Sequence, residues 1–322
     1  MQYNRLKGTG ISVSNLCVGT MMFGGQVDEK AGIEIINYAL DNGINFIDTA
    51  NVYNSGVSES IVGKALKGRR DEAVLATKIR FNITGKQNDE GLHRGHMIAG
   101  LDACLKRLNT DYVDILYLHA PDYDTPIEET MEAAADLVKA GKARYIGVSN
   151  YASWQIMDLV HAGEKNGGIT PVVTQNCYNL LTRSIDRELV PCIKEHNIGL
   201  TIYSPIASGL LTEKHLSGQP AEGSRMATNQ QYNDRFWKPT NLEAVRELNA
   251  IAQEAGMNIT ELAMNWCQSV GYVDSIIAGM SRLDQLKQNI SYMHDKPLCK
   301  EVMDKCDAVW AKIDDQSFKY NR

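Results

Sequence analysis

The chain has 322 residues, of which 43% are hydrophobic and 22% are charged, and its formal net charge is −6 at pH 7. This composition is typical of a folded globular protein, and the length suffices for two average domains or one large α/β barrel. Acidic and basic residues are interleaved, without the basic stripe that suits nucleic acid, so we expect no nucleic-acid partner.

The N-terminus and the cysteines indicate the compartment. The opening residues, MQYNRLKGTG, lack the apolar core of a signal peptide, and no run approaches the roughly 20 apolar residues of a membrane span. Seven cysteines are scattered along the chain, odd in number and without a CxxC pair. Free thiols in a reducing compartment explain this pattern better than a disulfide framework does. We therefore expect a cytoplasmic protein without a membrane partner.

The predicted secondary structure begins with a hairpin and continues as alternating strands and helices. The stretch YNRLKGTGISVS predicts two short strands that turn between Gly8 and Gly10. Short apolar runs then alternate with amphipathic helical windows such as IEETMEAAADLVKAG. The runs start near Leu16, Ile44, Val74, Val113, Tyr145, Val172, Leu200 and Ser275. Several helical windows end in glycine or asparagine, as helix C-termini usually do, at Asn42–Gly43, Gly141 and Asn197.

Eight strands in alternation with helices predict an α/β fold, a (β/α)8 TIM barrel with an N-terminal β-hairpin. The alternative is a doubly wound open sheet, which should carry GxGxxG after its first strand; LCVGTMMFGG lacks that spacing. Residues 206–239 follow the seventh barrel strand with little periodicity and predict a long loop, either a lid or a binding loop. No linker or charge run divides the chain, so we predict a single domain over residues 1–322.

Polar residues end six consecutive strand-like runs. In a barrel of this class the active site lies at the C-terminal ends of the strands, so these residues are expected to converge. They are Asp48, Lys78, His119, Ser149 with Asn150, Gln175 with Asn176, and Tyr203 with Ser204. A single polar residue at the end of a strand needs no function, whereas six in succession predict a polar ring around a reaction chamber.

Asp48, Tyr53, Lys78 and His119 form a chemically coherent set near this ring. Tyrosine has a pKa of about 10, and a neighbouring ammonium favours the phenolate, so we expect a lowered pKa for Tyr53. Asp48 would keep Lys78 charged and oriented, because an unpaired buried ammonium tends to lose its proton. A donor with a pKa near the working pH suits general acid catalysis, and His119 could bond the same substrate oxygen. The set predicts a reaction that builds negative charge on a carbonyl oxygen, as hydride attack does.

Several motifs resemble those of the aldo-keto reductase superfamily, and in particular its branch of bacterial reductases and potassium-channel β subunits. They are GINFIDTANVYNSGVSESIVGKAL, ATK, YLHAPD, VSN and AGMSRLDQLKQNI, within a resemblance that extends from VGTMMFGG to the last QNI. The resemblance implies an (α/β)8 barrel that binds NADP(H) without a Rossmann motif and reduces an aldehyde or ketone. It also implies that Tyr53 is the general acid, that Lys78 and Asp48 modulate it, that His119 orients the carbonyl, and that no metal is needed.

The resemblance also assigns cofactor-binding residues. Ser149, Asn150 and Gln175 would hold the nicotinamide carboxamide, and Tyr203 would stack on the nicotinamide ring. The other assigned residues are Gly19, Thr20, Met21 and Asp48 on the nicotinamide side, Ser204, Pro205, Ile206, Ser208, Gly209 and Leu211 around the pyrophosphate, and Gly279, Ser281, Arg282, Gln285 and Asn289 at the adenosine end. A predicted helix start near Ser281 favours an anion and Arg282 suits a 2′-phosphate, so NADPH is expected as cofactor, with NADH as a weaker alternative.

Two positions depart from the pattern of other members. Many carry a lysine early in the adenosine-phosphate motif where this chain has Gly279, which makes the strength of the NADPH preference an open question. The histidine is followed by APD where other members place an aromatic residue, so their substrate preferences do not transfer. Four loop aromatics near the mouth, either touching substrate or packing in a lid, are Phe81, Tyr123, Phe236 and Trp237. The substrate, the reaction direction and the oligomeric state stay open.

Other functions and sites are compatible with parts of the sequence. One is a nucleotide-sensing regulatory subunit that binds NADP(H) and turns over slowly, since channel β subunits retain similar catalytic residues. Another is an aldolase or lyase with a Schiff base on Lys78, which the neighbouring Asp48 argues against because such a lysine must become neutral. The histidines His93 and His96 of HRGH lack a third metal ligand at matching spacing, so we interpret HRGH as a solvated loop.

Overall fold

The protein is described from a computed structural model. The described residues are 1–216, 218–222, 224–293 and 296–314. Within those ranges, none of the helices combines the length and the apolar character that crossing a bilayer requires.

The ten strands of the described residues form an N-terminal hairpin and a closed parallel barrel. The hairpin pairs β1 (Tyr3–Arg5) with β2 (Ser12–Ser14) in antiparallel register. The barrel strands are β3 (Leu16–Gly19), β4 (Phe46–Asp48), β5 (Val74–Ile79), β6 (Val113–Leu118), β7 (Ala143–Ser149), β8 (Pro171–Cys177), β9 (Gly199–Tyr203) and β10 (Ser275–Gly279). They follow one another around the barrel in chain order, and β10 closes it against β3. The predicted (β/α)8 barrel with its hairpin is therefore confirmed.

Helices surround the barrel and alternate with its strands. They are α1 (Glu29–Asp41), α2 (Val57–Ala65), α3 (Arg94–Leu108), α4 (Ile127–Lys139), α5 (Ser153–Lys165), α6 (Leu189–Glu195), α7 (Arg225–Thr228), α8 (Gln230–Phe236), α9 (Pro239–Glu254), α10 (Ile259–Ser269), α11 (Leu283–Tyr292) and α12 (Lys300–Ala311). In α1, for example, the Asp28 side chain caps the Ala31 amide at 2.8 Å, and the helix stops before Gly43, whose φ is +81°.

The barrel interior has an apolar floor, to which the hairpin contributes. Leu6 and Val13 from the hairpin are fully buried and pack with inward-facing Cys17, Phe46 and Ile115. Burial of each large aliphatic or aromatic side chain contributes about 1.5–3 kcal/mol. The N-terminal end of the barrel is therefore closed by packing, and the polar residues gather at the opposite end.

Close packing inside the barrel also explains one glycine. A Cβ on Gly147 of β7 would lie 2.6 Å from the ring of Tyr117 on β6, so any side chain there would displace the tyrosine. The Tyr117 hydroxyl lies 3.2 Å from the Thr201 hydroxyl across the interior, which satisfies both buried groups.

The segment after β9 contains more regular structure than the sequence predicted. Instead of a continuous long loop, residues 206–239 include 3₁₀ turns at Ala207–Gly209 and Glu213–His215 and the short helices α7 and α8. The side chain of Asn229 caps α8 by accepting the amides of Gln231 and Tyr232. A helix of seven residues makes only about two turns, too few for a detectable apolar period. Ser217 and Gly223 of this segment lie outside the described residues.

Candidate active site

Lys78 is the centre of a buried hydrogen-bonded group at the C-terminal end of the barrel. Its Nζ donates to the Asp48 carboxylate, to the Thr49 carbonyl at 2.9 Å and to the Tyr53 hydroxyl at 3.1 Å. Lys78 is 0% exposed and Asp48 is 2% exposed. All three donors of the ammonium are used, so the charge is buried without an unsatisfied group.

The pKa shifts of this group have opposing causes. Burial lowers the pKa of Lys78, but Asp48 and Tyr53 more than offset that effect, so the pKa lies above its ordinary value. Burial raises the pKa of Tyr53, Lys78 lowers it and Asp48 raises it again, so the pKa of Tyr53 also lies above its ordinary value. The expected lowering of the Tyr53 pKa is therefore wrong, because desolvation of the phenolate outweighs the attraction of the ammonium. Tyr53 carries its proton at neutral pH.

His119 lies beside Tyr53 and its ring contacts the tyrosine ring. The two ring centroids are 6.0 Å apart in an edge-to-face arrangement. The ring of Phe81 also packs edge-to-face on His119, with a centroid distance of 5.0 Å. The His119 amide donates to the Ile79 carbonyl at 3.0 Å, and its carbonyl accepts from the Asn150 side chain at 3.0 Å. The structure thus brings the four predicted catalytic residues together.

The predicted carboxamide-binding residues lie on the adjacent strands and bond to one another. Gln175 on β8 donates to the Asp48 carboxylate at 2.9 Å. Asn150 donates to the Ser149 hydroxyl at 3.1 Å and accepts from the Tyr203 hydroxyl at 2.6 Å. Tyr203, at the end of β9, is thereby fixed by a hydrogen bond, with its ring half-buried at the mouth.

The turn after β9 has a backbone shaped to receive an anion. Ser204, Ala207, Ser208 and Gly209 all have left-handed φ values, between 48° and 100°. The Ser208 hydroxyl oxygen is buried and has no hydrogen-bond partner within the described part of the chain. A Cβ on Gly209 would meet no heavy atom within 4 Å, so the backbone there is open to close approach. An unpartnered hydroxyl beside an open left-handed turn fits a bound phosphate.

The other residues predicted around the pyrophosphate support this turn from within. Pro205 and Leu211 are buried, and the Ile206 carbonyl accepts the amides of Gly209 at 2.8 Å and Leu211 at 3.2 Å. The Ser204 carbonyl accepts from the Asn179 side chain at 2.9 Å. These contacts hold the shape of the turn. The sequence did not distinguish residues that shape the turn from residues that would touch the pyrophosphate.

At the end of β3, the predicted residues differ in what they contact. Gly19 is buried against β10, where a Cβ would lie 2.8 Å from Ile277. Thr20 is fully buried, and both its amide and its hydroxyl donate to the Asp48 carbonyl at 3.0 Å. Met21 is 44% exposed and lies 4.0 Å from the Tyr232 hydroxyl of α8, measured at its sulfur.

The residues predicted at the adenosine end lie around the start of α11. Arg282 is the exposed residue that precedes the helix, and Gly279 has open space at its Cβ position. The Gln285 side-chain oxygen accepts from the Ser281 amide at 2.7 Å and from its hydroxyl at 3.2 Å. Asn289 is half-buried on the same helix. A helix N-terminus next to an exposed guanidinium suits a phosphate group.

The structure corrects the interpretation of HRGH and bears on two of the loop aromatics. His96 is buried in α3, and His93 caps that helix by accepting the His96 amide, so HRGH is a helix start and not a solvated loop. Of the two alternatives for the loop aromatics, packing describes Phe236, which is buried, and Trp237, which packs on His215.

Asn54 and Tyr232 were missed as neighbours of the site. Tyr232 lies close enough to Tyr53 to contribute to the rise of its pKa. Asn54 donates to the carbonyls of Met21 at 3.1 Å and Phe23 at 2.7 Å. Asparagine directly after the tyrosine, in a stretch ending in glycine, indicates a left-handed turn, and that was the available clue.

A closed parallel barrel with a buried Lys–Asp pair, a tyrosine and a histidine at its C-terminal end defines a barrel enzyme without a Rossmann motif. The family model described as "Aldo/keto reductase family" matches residues 15–311, and the chain belongs to that family. It is therefore an oxidoreductase of the aldo/keto reductase family.

Curated relatives are similar in sequence to the chain over nearly its whole length. It is 39% identical to a probable voltage-gated potassium channel subunit beta of Arabidopsis thaliana over 317 residues, covering 96% of both chains. It is 32% identical to aflatoxin B1 aldehyde reductase member 2 of Homo sapiens, covering 95% of this chain and 89% of the relative. It is also 35% identical to an uncharacterized oxidoreductase of Bacillus subtilis, covering 94% of each.

Proposed function

We propose that this protein is an NADPH-dependent reductase that converts an aldehyde or ketone to the alcohol. The observation that carries the proposal is the bonding of Lys78 to Asp48, Thr49 and Tyr53 at the open end of the barrel. It leaves a protonated, half-buried phenol beside a half-buried imidazole, which suits a carbonyl oxygen that gains negative charge.

In this proposal Tyr53 donates its proton to the substrate oxygen. The neighbouring ammonium of Lys78 stabilises the phenolate that remains, and Asp48 keeps that ammonium charged and oriented. His119, edge-to-face with Tyr53, directs the carbonyl oxygen by a hydrogen bond. The raised pKa of Lys78 argues against a Schiff-base lyase, since the nucleophilic amine must be neutral.

The cofactor-binding residues fit a dinucleotide along the barrel mouth. When bound, the reduced nicotinamide supplies the hydride. Ser149, Asn150 and Gln175 carry the donor and acceptor types that suit a carboxamide. The turn at Ser208 and Gly209 offers an unpartnered hydroxyl and an open backbone to the pyrophosphate.

The preference for NADPH rests on the start of α11. Arg282 is exposed there, and a guanidinium pairs with a 2′-phosphate through two parallel hydrogen bonds. The carboxylate of Asp284, in the first turn of α11, would repel a 2′-phosphate. Gly279 stands where many members of the family have a lysine, so it contributes no positive charge. We therefore propose a moderate preference for NADPH, with NADH used more weakly.

The test measures oxidation of NADPH and NADH with a panel of aldehydes, ketones and sugars as substrates. Oxidation is monitored as the loss of near-ultraviolet absorbance. Binding of each cofactor is titrated in parallel by fluorescence. Turnover with NADPH on at least one carbonyl supports the proposal. Tight binding of NADPH without turnover across the panel contradicts it.

A second candidate is an NADP(H)-binding regulatory subunit with slow turnover. It is favoured by the similarity to relatives named as potassium channel β subunits. Such a subunit would hold its cofactor with very slow exchange and form a stable complex with a partner protein. Stopped-flow measurement of NADPH release, compared with the turnover rate, separates the two candidates.

The proposed cellular compartment of the protein rests on the redox state of its cysteines. All seven are free thiols and most are buried. Such thiols persist in a reducing environment. We propose a cytoplasmic location, which fractionation of the expressing cell would test.

A further inference from the structure

The loop that carries Tyr53 is fastened to the turn after β3 by one side chain. Asn54 uses both hydrogens of its amide group, one to the Met21 carbonyl at 3.1 Å and one to the Phe23 carbonyl at 2.7 Å. The turn after β3 is itself closed by hydrogen bonds, from the Phe23 amide to the Thr20 carbonyl and from the Val27 amide to the Met22 carbonyl. Asn54 therefore joins two rigid pieces of backbone.

The backbone next to Tyr53 needs such a tie. Asn54, Ser55 and Gly56 have φ values of +47°, +54° and +86°, three left-handed residues in a row. Left-handed backbone is costly for residues other than glycine, although asparagine adopts it more readily than most. A turn of this kind persists only where surrounding contacts hold it. The two amide bonds of Asn54 supply those contacts at the residue adjacent to the proton donor.

Gly25, which follows the Met21–Phe23 turn, lies close to the Asn54 amide group. A Cβ on Gly25 would lie 2.9 Å from the Asn54 side-chain oxygen and 3.3 Å from its nitrogen. Gly25 has an ordinary backbone conformation, since it is absent from the residues with positive φ. A side chain at this position would therefore press on the Asn54 amide group.

We propose that Asn54 is a positioning residue, which holds the Tyr53 hydroxyl on Lys78 by fixing the Tyr53 loop to the Met21–Phe23 turn. The inference rests on the proposed reductase function. A shift of the phenol by a fraction of an ångström disturbs both the bond to Lys78 and the approach to the carbonyl, and such misplacement strongly lowers the rate of an oriented reaction.

The first variant is Asn54→Asp, which keeps the size and the tolerance for left-handed backbone but places a carboxylate against two carbonyls. We expect kcat to fall about tenfold. The dissociation constant of NADPH should change less than about twofold, because most of the predicted cofactor contacts lie on or after β7 to β10 and only a few on the turn after β3. The falling limb of the kcat pH profile should move to higher pH, because Lys78 lowers the pKa of Tyr53 and its contact is weakened. A purely structural role would lower the melting temperature without moving that profile.

Two matched variants separate the amide from the backbone. Asn54→Gly keeps the left-handed turn without the amide and should lose kcat as Asn54→Asp does. Ser55→Gly relaxes the next left-handed residue, leaves both hydrogen bonds in place and should retain the wild-type kcat. If Ser55→Gly instead reproduces the loss, the backbone shape and not the amide is responsible, and the inference is overturned.

Gly25→Ala tests the same contact from the other side. In the wild-type background the new methyl should displace the Asn54 amide and lower kcat. In the Asn54→Gly background it should have no further effect, because the group that it displaces is absent. Additive losses would overturn the inference.

Wild-type turnover with NADPH and a carbonyl is measured first, so that the two proposals fail separately. An inactive wild type contradicts the reductase function and the positioning role with it. An active wild type whose kcat and pH profile are unchanged in Asn54→Asp overturns the role of Asn54 alone.

Discussion

The Gln175 side chain donates a hydrogen bond of 2.9 Å to the Asp48 carboxylate, whose other oxygen accepts from Lys78. A residue predicted to hold the nicotinamide carboxamide is thus bonded to the residue that keeps Lys78 charged. The cofactor-binding strand and the proton-donating group therefore share one buried carboxylate.

Replacement of Gln175 should affect both cofactor binding and proton transfer. In Gln175→Leu the Asp48 carboxylate loses one buried donor, which costs about 1–3 kcal/mol of stability. We expect weaker NADPH binding together with a lower kcat, and both can be read from one titration and one kinetic series. A variant that loses only cofactor affinity would show that the bond to Asp48 has no catalytic consequence.

Replacement of Tyr53 should separate binding from chemistry. Tyr53→Phe removes the proposed proton donor and keeps the ring that packs against His119. We expect kcat to fall by about 10²–10⁴-fold, the usual contribution of general acid catalysis. The dissociation constant of NADPH should stay close to that of the wild type. Turnover at the wild-type rate would contradict the assigned role.

The pH dependence of reduction follows from the raised pKa of Tyr53. The donor must be protonated, so kcat should stay high through neutral pH and fall only above the ordinary tyrosine value of about 10. A pH series on stable protein, with Tyr53→Phe as the control, would check this. A falling limb close to neutral pH would require a donor other than Tyr53.

Glu59 and Arg107 form an ion pair behind β5 whose loss should destabilise the fold. Glu59 is fully buried and accepts from Arg107 at 2.7 Å and from the Thr77 hydroxyl at 2.5 Å. Arg107→Met leaves the buried carboxylate without its cation, which costs about 3–5 kcal/mol in comparable cases. Urea unfolding measures the change. Arg69→Met, which breaks two ion pairs to the exposed carboxylates of Asp41 and Glu72, serves as the matched control with a much smaller effect expected.

Asp274 should limit stability at neutral pH. Burial raises its pKa to about 6, while the Leu200 amide that it accepts lowers it only in part. Because its folded-state pKa lies above its unfolded one, the contribution of Asp274 to stability is greatest below a pH of about 4 and is lost as the pH rises through about 6. Asp274→Asn can keep the bond to Leu200 and should gain up to about 3 kcal/mol at pH 7. The gain should vanish near pH 4, and a gain that is equal at both pH values would exclude titration of Asp274 as its cause.

The sequence predicted the barrel and its polar ring because both depend on local patterns. Apolar runs and helical windows have fixed periods, and residues such as Asp48 and Lys78 lie directly at the ends of strands. The direction of the Tyr53 pKa could not be predicted in the same way, because desolvation depends on loops distant in the chain. The bonds of Asn54 were missed for a similar reason, since their acceptors at Met21 and Phe23 belong to another loop.

The hairpin under the barrel also determines how protons return to the site. Leu6 and Val13 close that end with apolar side chains, and the hydroxyls of Tyr117 and Thr201 within the interior bond to each other. The apolar side chains of Leu6 and Val13 offer no donor or acceptor that could carry a proton from solvent through the floor. Under the proposed function, each proton that Tyr53 gives up must be replaced from the open face, the side from which substrate arrives and product departs. Reloading of the phenol is then tied to product release, so bulky alcohols that leave slowly should also delay the next proton.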